Sequence, residues 1–169
     1  MTDETNPTII ESAAMMAATD SRPPWLIEAF KDIGQKEWPG DWQNNPVIVE
    51  MFKYTTYKAT KDEVPWCSAA VNKWMAKAGI LGSKSAAAVS WLNWGTDLGD
   101  EPEVGCVVVF EWPSGGHHVS LYVGGSDNTI QCLGGNQSDM VKISDYPVYS
   151  VMSYRWPGKR EGYKEVRNG

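Results

Sequence analysis

Near Gly105 the hydrophobic period of this 169-residue chain changes. Upstream, apolar residues recur at the spacing of a helix face. Downstream, the stretches "CVVVFEW", "HHVSLYVGG", "TIQCLGG" and "YSVMSYRW" are short, rich in β-branched and aromatic residues, and the first three are separated by turn-length "PSGG" and "SDN". Such segments predict an antiparallel meander, because two- to four-residue connections cannot carry a parallel crossover. Helices first and strands after give an α+β order rather than an alternating parallel one. No internal repeat interrupts it, and the length suits one domain with one sizeable core.

The upstream half resolves into pieces. Residues 1–21 are polar with an Ala/Met-rich middle and end before Pro23 and Pro24, which reads as a flexible tail ahead of a single domain over 22–169. "WLIEAFKDIG" reads as a short helix stopped by Gly34, and "QKEWPGDWQNNP" as a loop. "PVIVEMFKYT" is read as a helix because Asn45 can cap it and Pro46 can open it. In "VPWCSAAVNKWMAKAG", Pro65 suits a first helical turn, Cys67, Val71, Trp74 and Ala78 form one stripe, and Gly79 ends the helix. "SKSAAAVSWLNWG" reads as another helix, capped by Ser83 or Ser85 and stopped by Gly95.

Charge and composition exclude several classes. The net charge of −6 argues against a nucleic-acid binder, which needs a basic face. No apolar run approaches the roughly 18 residues of a membrane span. The N-terminus carries acids where an export signal needs Lys or Arg, so the expectation is synthesis in the cytoplasm without a Sec signal. Three cysteines cannot all pair within the chain, which fits at least one free thiol. The C-terminal "RWPGKREGYKEVRNG" is basic and reads as a solvated end.

Chemistry concentrates in few residues. A helix N-terminus and a nearby imidazole both lower a thiol pKa, and Cys67 has the first by position. The only histidines are His117 and His118. Strand alternation puts His118, Ser120 and Tyr122 on one face and His117, Val119 and Leu121 on the other. Small Ser120 marks the His118 face as the one that admits the Cys67 helix. A base also needs an orienter, and "TIQCLGGNQ" offers Gln131, Asn136 and Gln137, with Gly134 and Gly135 letting the backbone come close. Gln137 is in addition a candidate substrate contact. Trp38, Trp42 and Trp66 are candidates for the wall of a glycan or peptide groove. Cys106 and Cys132 lie in strands and read as core. No CxxC or HExxH spacing supports a metal site.

"PWCSAAVNKWMAKAG", "SAAAVSWLNWG", "GCVVVFEW…GGHHVSLYVGG", "CLGGNQSD" and "YRWP", in that order, resemble the papain-like cysteine hydrolases of the NlpC and CHAP type, and most of all a subgroup of small proteins encoded by bacteria and their phages. "PPWLIEAFKDIGQKEWPG" and "NNPVIVEMFKYT" are similar to the same subgroup, so the resemblance spans roughly Pro24 to Pro157. One departure is Cys106, where the family commonly has Asp. The resemblance implies a papain-like α+β fold and hydrolysis of amide bonds in the peptide part of peptidoglycan. It implies Cys67 as nucleophile, His118 as base and, best placed in "LGGNQ", Asn136 as the third residue. It implies no metal or cofactor, a monomer, and peptidoglycan as the partner. A phage endolysin is the first expectation. An effector delivered by a bacterial secretion system, or a transglutaminase-like acyltransferase of the same fold, are the alternatives.

Overall fold

The computed structural model describes residues 22–40 and 42–158. The expected tail over 1–21 and most of the basic C-terminal stretch lie outside the described residues. Among the described residues, three α-helices precede the sheet: α1 (Pro24–Lys31), α2 (Pro46–Met51) and α3 (Cys67–Lys77). Asn45 caps α2 as its position suggests, its Oδ1 accepting the Val47 N–H at 2.9 Å. Gly79 follows the last turn of α3 with φ +78°, a conformation glycine adopts without cost. Helix α3 begins at Cys67 itself, with Trp66 as its N-cap and Pro65 outside the helix. The expected helix in "SKSAAAVSWLNWG" is not formed. Only a 3₁₀ stretch, Ala88–Asn93, is present. Its serines satisfy backbone groups locally instead: Ser85 Oγ accepts the Ala87 N–H and Ser90 Oγ donates to the Ala87 carbonyl.

Among the described residues, six antiparallel strands form one sheet: β1 (Thr96–Asp97), β2 (Val107–Glu111), β3 (His117–Gly125), β4 (Thr129–Gln137), β5 (Met140–Pro147) and β6 (Val151–Trp156). Their order is β1-β6-β2-β3-β4-β5, so β2 to β5 are the meander and β6 returns beside β2. The protein is therefore α+β. Strand β5 has no apolar alternation strong enough to read. Its "MVKISDYP" becomes a strand by pairing with β4 and by the bridge from Lys36 to Met140.

The helices cover one sheet face. Trp25, Leu26, Ile48, Met51, Val71 and Trp74 pack there against Val107, Val109, Val119, Leu121, Leu133 and Val141. Asp32 ties α1 to α3, accepting from both Lys73 Nζ and Trp74 Nε1 at 2.8 Å. The opposite face carries a smaller cluster of Cys106, Val108, Phe110, Ile130, Cys132 and Tyr154. All three cysteines are free. Among the described residues, no helix is long and apolar enough to cross a membrane.

Candidate active site

Two alternations locate the site. In the β2–β3 ladder, Tyr122 N–H donates to the Cys106 carbonyl at 2.9 Å and Trp112 N–H to Gly116 at 2.7 Å. These bonds turn even-numbered amides of β3 toward β2 and odd-numbered ones toward β4. The β3–β4 ladder, however, runs only from Gly125–Ile130 to Leu121–Leu133. Past that point β4 leaves β3, and the Val119 N–H faces a gap rather than a strand. The mouth of α3 fills it: the backbone amides of Val119, Ser68 and Cys67 lie close enough to the Cys67 thiol to favour its charged form.

Helix α3 rests on the Val119–Leu121 face, not on the His118–Ser120 face as the size of Ser120 suggested. Close approach is provided elsewhere, by Ala69 and Ala70 of the helix and by Gly135, where an added Cβ would stand 2.9 Å from the Ala70 Cβ. Ser120 instead lies beneath Gly134 and Gln137 on the opposite face. The His118 ring sits on that opposite face, boxed by Phe110, Trp112 and Tyr146 with ring centroids 5.6–5.9 Å away. Cys67 thus reaches the backbone beside His118 through the split between β3 and β4. Tyr146, in contact with His118, also senses the Cys67 thiol, although burial and then Cys132 are the larger causes that raise its hydroxyl above the ordinary tyrosine value.

The side chain that meets the His118 ring is that of Gln137, not Asn136. Gln137 is buried, and its Nε2 donates to the carbonyls of Lys142 at 2.7 Å and Cys132 at 3.2 Å. That fixes which end of the amide faces the histidine: Oε1, 3.0 Å from His118 Nε2. Nε2 is then the protonated nitrogen, and the Nδ1 lone pair is left to accept a proton. Burial and this bond also remove Gln137 from the substrate contacts. Asn136 stands at φ +58° in a bulge, where β4 and β5 shift register between Gly134 and Gln137. Ser138 and Asp139 follow at φ +55° and +62°, so three of four residues in this turn hold a conformation that costs non-glycine residues energy. We expect Gln137→Ala to lower activity by about 10- to 100-fold, the usual cost of losing a buried orienting bond. Asn136→Gly, which suits the backbone, should stay within about threefold. Wall-lysis rates of the two variants check this.

His117 is exposed at the start of β3, its Nε2 3.4 Å from the Glu111 carboxylate. Gln131 is exposed on β4, away from the imidazole. Trp66 cannot wall a groove: it is 0% exposed, and its Nε1 donates to Glu37 Oε2 at 2.9 Å. Trp42 is 82% exposed and Trp38 44%. Trp38 lines an open groove of about 480 Å³ with Lys36, Glu37, Pro39, Gly40, Asp62, Glu63 and Asp139. Sequence reasoning missed Glu37, which sits in that groove and also touches Trp66, the residue before Cys67. A lone Glu in a Pro/Gly-rich loop gives no signal by itself.

Electrostatics correct another expectation. Burial pushes the Cys67 thiol above its ordinary 9.0, and the three N–H groups only oppose this. Burial likewise pulls His118 below its ordinary 6.5 against the bond from Gln137. Both directions favour the neutral thiol and the neutral imidazole over an ion pair. Alkylation of Cys67 by iodoacetamide should keep rising with pH to 9 and beyond, following thiolate formation. A plateau between pH 6 and 8, read by mass mapping, would indicate an ion pair instead. Cys106 and Cys132 should react more slowly, being fully buried, with the Cys132 thiol pushed up to about 12.

The chain matches no known family model and no curated protein. Among the described residues, no three His, Cys, Asp or Glu side chains are grouped to hold a metal ion. What the arrangement offers is a thiol on a helix N-terminus, an imidazole with a fixed tautomer, and free amides beside the sulfur. This is the chemistry of nucleophilic acyl transfer.

Proposed function

We propose that the protein is a papain-like cysteine hydrolase of the NlpC and CHAP type that cleaves amide bonds in the peptide part of bacterial peptidoglycan, and that it serves as a phage endolysin. The observation carrying this reading is the Cys67 thiol at the start of α3, beside the backbone of Val119, the residue that follows His118, whose tautomer Gln137 fixes. His118 takes the thiol proton as the sulfur attacks the amide carbonyl, then gives it to the leaving amine. The amides at the start of α3 stabilise the oxyanion. Water releases the acyl group, with His118 again as base. Because both groups rest neutral, proton transfer accompanies attack rather than preceding it.

The groove beside Trp38 would take the peptide stem, and its acidic lining favours a stem carrying a free amine. Trp42 would lie against the glycan. Isolated cell walls incubated with the purified protein should lose turbidity. Each bond cut should give one new amine and one new carboxyl, so that the two appear in equal amounts. Walls that stay turbid and release no such fragments would refute the substrate assignment.

A further inference from the structure

We propose that Glu37 is a positioning residue for Cys67, acting through the Trp66 indole. Trp66 is the N-cap of α3, yet its side chain makes no capping bond and its backbone stands at φ −123°, ψ 14°. What holds this residue is its ring. One edge lies against β4, where a Cβ on Gly135 would come within 2.5 Å of Trp66 Cζ3 and 2.7 Å of Cε3. The other carries Nε1, bonded to Glu37 Oε2 at 2.9 Å. The indole is thus wedged at the place where β4 departs from β3, and that departure opens the gap that Cys67 occupies.

Glu37 is itself anchored to the far side of the site. Its N–H donates to the Asp139 carbonyl at 2.9 Å, while Val141 N–H donates to the Gln35 carbonyl at 2.8 Å and Gly34 N–H to the Val141 carbonyl at 3.0 Å. Segment 34–37 therefore runs along β5 beside the turn that carries Gln137. One carboxylate links the backbone that positions the nucleophile to the hairpin that positions the orienter of the base. Truncating Glu37 leaves a buried indole N–H without its acceptor, and the ring can only regain one by moving.

The proposal rests on the hydrolase reading for what the thiol does, but its first test does not. In Glu37→Ala, alkylation of Cys67 by iodoacetamide should rise at least about threefold while that of fully buried Cys106 is unchanged, because only the seat of Cys67 loosens. Wall lysis should fall about 10- to 100-fold, as a displacement near 1 Å costs a reacting group. Glu37→Gln keeps an acceptor oxygen and should restore the parental alkylation rate of Cys67. Trp66→Phe removes only the N–H and should reproduce the Glu37→Ala effects, with the double variant no worse than either single one. Should Glu37→Ala fail to fold, Trp66→Phe carries the same alkylation comparison. A shifted Cys67 reactivity in a protein that lyses no walls would sustain the positioning role and reject the hydrolase reading. Cys67 reactivity unchanged in both folded variants, or Cys67 and Cys106 accelerating together, would overturn the proposal.

Discussion

Cys67→Ala should leave isolated walls as turbid as buffer does, while its circular dichroism and thermal unfolding match those of the parent. The sulfur is the thiol at the mouth of α3, and the neighbouring Ser68 hydroxyl is buried and donates to the Ser85 carbonyl. Removing it eliminates the covalent route, not merely one contribution to it. The substitution is mild for the fold: Cys67 is 6% exposed at the edge of the core, and alanine suits a first helical position. Cys67→Ser keeps a hydroxyl among the same amides, yet it should also be inactive, since a neutral imidazole is too weak a base to activate an alcohol without a charged partner. Lysis at the parental rate by a folded Cys67→Ala protein would remove the mechanism altogether.

The two histidines should separate almost as widely. Loss of a general base typically costs about 10²–10⁴ in rate, and His118→Ala is expected in that range. His117→Ala should stay within about tenfold of the parent, because an exposed residue at a turn contributes little beyond local contact. The pH profile carries a matching signature. Activity requires neutral His118, and burial holds its pKa below 6.5, so the acid limb should fall below 6.5 rather than at it. A severe His117→Ala and a mild His118→Ala would mean that His117, not His118, serves the sulfur.

These residues differ in how far the sequence announced them. The helix start at Cys67 was visible because proline, a four-residue stripe and Gly79 bracket it. His118, expected as the base, is the buried one of the two histidines, but one reason for expecting it fails. Ser120 does not lie under α3; the helix reaches the site through a break in the β3–β4 ladder, and no local pattern encodes that break. Asn136 misses the His118 ring for a related reason. Counting by twos from Cys132 through Gly134 places Asn136 on the His118 face. The bulge at Asn136 advances the register by one, from Gly134–Lys142 to Gln137–Met140, and puts Gln137 there instead. Strand β5 was unread because its pairing, not its composition, makes it a strand. The thiol pKa was misjudged because burial cannot be read from a helix start alone.

Digestion of isolated walls in heavy-oxygen water tests the central claim most directly. If Cys67 forms an acyl intermediate that water resolves, every new carboxyl on a released fragment should carry one heavy oxygen, and Cys67→Ala should release none. Fragments joined to an amine without the label would point to acyl transfer in place of hydrolysis. Labelled fragments released equally by Cys67→Ala would contradict the assignment of the nucleophile.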